Sequence, residues 1–235
     1  MLVALAVAGC DLTGQYEANF QKAIQDAERR AAFDLNLQPD YYDEIDPAHE
    51  VKLRLPKVFD KYKANLKLAD PRAKVPFVEL PGLASVLERS LDDAKQQSLG
   101  TYLYFAAPPK EKLKAEALQG ALAKEIAAAF PGAAWSDVQI SKPDGQSMTL
   151  KRLRVEGPQD FFNAKKKAMT KADGRFDLYY LDGGGRHILI AWRMGKGQAT
   201  KYQLEPAIDA AMGTVEITPA DGPASKKGQA DEGCF

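Results

Sequence analysis

Histidine and cysteine, two side chains that commonly carry catalysis, are scarce in this chain. Its only histidines are His49 and His187, and its only cysteines are Cys10 and Cys234. Zinc needs His, Cys or carboxylate ligands gathered at short spacing, and these four are scattered. His187 follows Arg186 at the start of the apolar run "HILIAWR", where a structural imidazole is expected rather than an acid–base residue. No Gly-x-Ser-x-Gly elbow occurs for a serine nucleophile. Asp40, Asp43, Glu44 and Asp46 offer the hard oxygens that calcium prefers, but the glycine and terminal glutamate of a calcium loop are missing. "DGGGRH" would present backbone amides to an anion, yet it joins two strand-like runs, whereas phosphate loops lead from a strand into a helix. "GKGQATK" lacks the phosphate-loop spacing. The sequence therefore assigns no catalytic residue, no metal and no cofactor.

Two groups of residues suit binding instead. Lys165, Lys166, Lys167 and Lys171 form the densest part of a basic excess between Lys142 and Lys201. On a chain held at a bilayer they could contact anionic headgroups or an acidic partner, each near-surface cation contributing on the order of 1 kcal/mol. The bland alternative is a solvated helix face. Tyr102, Tyr104, Tyr179 and Trp192, with Tyr180, could form a platform for an envelope polymer. Successive strand residues point to opposite faces, so Tyr179 and Tyr180 cannot lie under one layer, and core packing is the competing expectation.

The opening stretch "MLVALAVAGCDLTGQ" addresses location. Leu2 to Gly9 is too short for a spanning helix, which takes roughly 20 apolar residues, but fits the apolar region of a signal peptide. Val7, Ala8 and Gly9 ahead of Cys10 resemble the lipobox of bacterial lipoproteins. That resemblance implies lipidation of Cys10 as the first mature residue and a membrane partner reached through the anchor. A signal of this kind begins with Lys or Arg, and here only Met1 precedes Leu2, so either the true start lies upstream and the signal is truncated or the match is accidental. The alternatives are an N-terminal core segment with an ordinary cysteine, or a Cys10–Cys234 bridge joining the chain ends.

Composition bounds the rest. A chain of 235 residues that is 45% hydrophobic and 27% charged can bury a real core. Its 32 basic and 32 acidic residues cancel, so no global charge points to nucleic acid. Two cysteines cannot make a disulfide framework.

The elements follow from periodicity. Tyr16, Phe20, Ala23, Ile24, Ala27 and Ala31 recur at three- and four-residue spacing, predicting an amphipathic helix from Leu12 to about Leu35. Its face either packs on the domain, spaces it from a membrane, or docks another helix. "LQPDYYDEIDPAHE" reads as a loop, "VKLRL" as a half-buried strand, "VPFVELPG" as a short extended piece, and Leu83 to Asp93 as a helix. "TYLYFAAPP" reads as a strand and Lys110 to Phe130 as a helix with Leu118, Leu122 and Ile126 four apart. Two hairpins are predicted, one turning at Pro143-Asp144-Gly145 with a bulge near Lys151-Arg152, the other around Asp182 to Gly185. Helices are expected between them, from about Pro158 to Met169, and after them, from about Tyr202 to Met212.

Hairpins alternating with helices argue an α+β fold: an antiparallel β-sheet with helices packed on it, in the manner of an α-β-α sandwich. The order, with "HILIAWR" leading into "YQLEPAIDAAMGTV", resembles PsbP-like domains, which implies a binding or assembly module of a larger complex. The expected organisation is a signal at 1–9, an anchor and amphipathic helix at 10–37, an N-terminal subdomain or extension at 38–99, an α+β domain at 100–217 and a disordered tail at 218–235. The expected function is that of a lipid-anchored binding or scaffold component of a bacterial envelope complex, with no nucleic-acid partner. The rivals are an envelope enzyme acting on peptidoglycan or a lipid-linked substrate, and a structural spacer.

Overall fold

The sheet strands carry apolar residues in two patterns, and the difference between them sets the architecture. Val51, Leu53 and Leu55 alternate with charged residues, as a strand covered on one face should. "YLYFA", "FDLYYL" and "HILIAW" are nearly continuous, as strands covered on both faces should be. The computed structural model, which describes residues 12–43, 51–64, 78–110, 114–183 and 186–218, realises both. The segments with Cys10, His49 and Cys234, the acidic stretch after Asp43 and residues 219–235 of the tail lie outside the described residues.

The chain begins with helix α1 (Leu12–Asn36) and runs through β1 (Leu37–Tyr42), β2 (Val51–Pro56), β3 (Leu83–Asp92) and β4 (Ser98–Ala106) to α2 (Ala115–Ala129). Strands β5 (Trp135–Ser141), β6 (Ser147–Asn163), β7 (Ala168–Gly183) and β8 (Arg186–Gly195) follow, then α3 (Lys196–Lys201), α4 (Leu204–Gly213) and β9 (Glu216–Ile217). A six-stranded antiparallel sheet has the order β3-β4-β8-β7-β6-β5, and a smaller sheet the order β1-β2-β9. The fold class is α+β, with helices packed on antiparallel sheet.

Two cores occupy the two faces of the large sheet. Against α2, Leu118, Leu122 and Ile126 meet Tyr102, Tyr104, Leu153, Leu178 and Tyr180. On the opposite face Phe33, Leu53 and Phe59 join Ile208 and Met212 of α4 over Tyr179, Ile190 and Trp192. Tyr179 and Tyr180 thus go to different cores, as the period of two requires.

Two-sided burial also explains where the expected elements fail. Leu83 to Asp93 is strand β3, not a helix: Val86 enters one core and Leu87 the other, which erases the alternation. No bulge interrupts β6 near Lys151-Arg152, where pairing to β5 and β7 is continuous. The apolar phase changes there because Leu150 faces one core and Leu153 the other. The helix expected from Pro158 to Met169 is absent; β6 continues to Asn163, with Gln159, Phe161 and Asn163 buried at a period of two, and a tight turn leads into β7. "LQPDYY" is strand β1 rather than loop, paired to β2. The boundary placed at residues 99 and 100 falls inside β4, and β3 pairs with β4 from Leu83 to Asp92, so this part of the N-terminal segment belongs to the main sheet. Val78 and Leu80 of "VPFVELPG" are buried without entering a strand. The last helical region divides in two at Gln203, which adopts φ 49°.

Candidate functional site

Helix α1 has two unlike halves. Residues 12–25 contain one acidic and one basic side chain, Glu17 and Lys22, whereas residues 26–36 contain Asp26, Glu28, Arg29, Arg30 and Asp34. The charged half is fastened to the domain. Phe33 is buried in the core beside α4, and Asp34 pairs with Arg54 Nη2 at 2.7 Å. Arg54 is itself fixed, donating from Nε to the Gln38 carbonyl at 2.7 Å. The Arg29 guanidinium lies against Gly145 in the β5–β6 turn, where φ is +85° and a Cβ would collide with it. The uncharged half presents Tyr16 at 69% exposure, Phe20 at 52% and Ile24 at 37%, and the Tyr16 and Phe20 rings stack at 6.3 Å.

At the turn between β6 and β7, Asn163 Oδ1 accepts from the backbone amides of Lys165 and Lys166, both at 3.1 Å. This local hydrogen bonding holds the lysines in a turn rather than on a helix. Lys165 is engaged: its Nζ donates to the Gln96 carbonyl at 2.7 Å and pairs with Asp92 at 3.3 Å. Hydrogen bonds from Ser98 and Lys165 hold the Asp92 carboxyl below its ordinary range. Lys166, Lys167 and Lys171 are exposed.

Tyr102, Tyr104, Tyr179 and Trp192 are fully buried. The first two share the α2 core and the last two the α4 core, so they are separated by the sheet and form no open platform. The expectation of a ligand platform is corrected on that ground: all four are core residues. His187 is buried at the start of β8, and its Nδ1 shares a hydrogen bond of 2.9 Å with the Tyr180 hydroxyl. Burial, with the charges of Asp182 and Glu116, pushes the Tyr180 phenol up to about 12.

Two buried charge clusters stand out that the sequence did not signal. Asp177 of β7 is fully buried and receives Arg154 Nε at 2.5 Å and Arg175 Nε at 2.8 Å. Glu205 of α4 then takes Arg154 Nη1 at 2.8 Å and Arg175 Nη2 at 3.0 Å, tying the helix to the sheet. Burial pushes the Asp177 carboxyl up to about 6, outweighing the pull of Arg154. Nearby, Tyr179 donates to Asp209 Oδ1 at 3.2 Å. On the other face, the buried Arg193 donates to the Tyr104 hydroxyl at 3.1 Å, and its guanidinium lies over the rings of Tyr102 at 5.2 Å and Phe161 at 4.9 Å. Such cation–π contacts compensate in part for its desolvation.

An open cleft of about 650 Å³ lies between the turn after α2, with Phe130 and Pro131, and residues 154–160 of β6. Pairing of β5 to β6 ends at Leu153, and β4 meets β6 at Asn163, so the intervening edge of β6 has no strand beside it among the described residues. Gly157 and Pro158 occupy this edge, and a proline without an amide donor discourages strand addition. The arrangement offers surfaces for contact: a projecting apolar helix face, an exposed lysine turn and a shallow cleft.

No family model matches the chain, and no curated protein matches it. Among solved structures it is similar to the solution structure of cyanobacterial PsbP (CyanoP) from Synechocystis sp. PCC 6803, with a TM-score of 0.41 and 11% identity over 78% of this chain and 93% of that one. This is a distant likeness of fold.

Proposed function

We propose that the chain is a membrane-tethered component of a bacterial envelope complex, acting as a binding or scaffold module. Cys10 carries the lipid anchor, α1 links the anchor to the domain, and the domain presents Lys166, Lys167 and Lys171 and the β6 cleft to anionic headgroups or a protein partner. The observation that carries this reading is the division of α1. A helix whose distal half is pinned by Phe33, Arg29 and Asp34 and whose proximal half stands exposed two residues after a lipobox-like cysteine is built as a link. An exposed run of large apolar side chains on a folded protein marks a contact surface.

Fractionation with crosslinking tests the proposal. A photoreactive side chain in place of Lys166 is expected to give a discrete adduct in the membrane fraction, lost together with membrane retention in Cys10→Ala. Recovery of both variants in the soluble fraction without an adduct would overturn it.

A further inference from the structure

We infer that the proximal half of α1 lies along the lipid surface itself, with Tyr16, Phe20 and Ile24 in the headgroup–acyl boundary, and so fixes the orientation of the domain on the membrane. The inference rests on the tethered reading of Cys10 for its starting point, and on α1 for its geometry. Leu12 follows Cys10 by two residues, a reach of at most about 7 Å, so an acylated Cys10 brings the first turn of α1 to the bilayer surface. A helix rises about 1.5 Å per residue, and the headgroup layer on each side is only about 5–7 Å deep. Standing upright, α1 would hold Phe20 in water; lying flat, it places Tyr16, Phe20 and Ile24 in the interface together.

Three features favour lipid as the occupant of this face. The proximal half leaves Tyr16 at 69%, Phe20 at 52% and Ile24 at 37% exposure along one face, whereas Leu35, at 73%, is the one large apolar residue so exposed in the distal half. Aromatic rings, Tyr among them, settle at the headgroup level of a bilayer. The proximal half carries only Glu17 and Lys22, so no net charge opposes approach, and the charged side chains begin where the domain takes over the packing. Once the helix lies flat, the contacts of Phe33, Arg29 and Asp34 transmit its direction to the whole α+β body.

The test uses the full chain, purified from membranes and reconstituted in vesicles of phosphatidylethanolamine and phosphatidylglycerol. Cys234→Ser is combined with a nitroxide label at either Phe20→Cys or Lys22→Cys, on opposite sides of the helix. The label at 20 is expected to be relaxed by oxygen and shielded from a water-soluble nickel chelate, and the label at 22 the reverse. Tyr16→Ser with Phe20→Ser, which touches no core residue, should leave the acylated chain in the membrane fraction but open a label at Ile24→Cys to the chelate. If both labels stay open to the chelate on a chain whose mass confirms acylation, the inference falls while the tether stands. If the mass shows no acyl chains, the tether reading fails; shielding at 20 on added vesicles, in a chain that also carries Cys10→Ala so that position 20 alone is labelled, then still upholds the helix inference, and exposure overturns it. Shielding that appears without lipid and grows with protein concentration would assign the face to a second helix and overturn the inference.

Discussion

Replacing Asp177 by Ala should be among the most damaging single changes in the domain, and the structure sets its size. The carboxylate has no exposed surface and joins two guanidiniums, Arg154 at 2.5 Å and Arg175 at 2.8 Å. Removing it leaves Glu205, whose side chain is 50% exposed, as the remaining ion-pair partner of both cations among the described residues. Breaking a buried pair from one side costs about 3–5 kcal/mol, because the remaining charge is desolvated and a half-exposed Glu205 compensates it only in part. Glu205→Ala removes a solvent-screened partner and should cost no more than about 1 kcal/mol. In urea unfolding, with a slope of about 2–3 kcal/mol per molar for a chain of this size, Asp177→Ala should lower the midpoint by about 1–2 M and Glu205→Ala by under about 0.5 M. Titration adds a sign. Burial raises the folded Asp177 carboxyl to about 6, above its unfolded value near 4, so the folded state binds more protons across that window. Its contribution to stability is therefore largest below about pH 4, is lost as pH rises to 6, and is flat beyond. Asp177→Asn should remove that slope. Equal midpoint shifts for Asp177→Ala and Glu205→Ala, or an unchanged pH slope in Asp177→Asn, would show that Asp177 is not the buried charge that holds Arg154 and Arg175.

Three further outcomes are expected. Trp192→Ala should cost about 3–5 kcal/mol in chemical denaturation, because the ring is fully buried against Phe59; a platform residue would leave stability unchanged. Gly145→Ala should lower stability by about 1–3 kcal/mol, since φ is +85° and the Arg29 side chain occupies the space of a Cβ, and limited proteolysis should show α1 loosened at the same time. Lys166→Glu with Lys167→Glu should leave the melting temperature within about 1–2 °C but weaken binding to anionic vesicles by at least about tenfold, an effect that added salt diminishes.

The sequence was most readable where one face of an element is wet. The alternating β2, and α2 with Leu118, Leu122 and Ile126 four apart, carry their burial in their spacing, and α1 shows its helical period although its Tyr16, Phe20 and Ile24 face is exposed. It was least readable where both faces are covered. In β3, Ser85, Val86, Leu87 and Glu88 are buried in succession, a pattern that periodicity cannot separate from a buried helix. The spacing around Lys165 to Lys167 does not distinguish a turn from a helix, because Asn163, which accepts from the amides of Lys165 and Lys166, suits either setting. The aromatic runs show strand in their own sequence, but whether they face water depends on α2 and α4 arriving from distant sequence. The Asp177 cluster had no signal at all, for Arg154 and Asp177 become neighbours only through the β6–β7 register and Glu205 only through the docking of α4.

The intact mass of the native chain decides whether Cys10 carries a lipid tether. Extracted from the membrane fraction, the protein is expected to begin at Cys10 and to carry the added mass of acyl chains, with that mass and the membrane association both lost in Cys10→Ala. A chain that retains Met1 to Gly9, carries no acyl mass and is recovered in the soluble fraction would contradict the account.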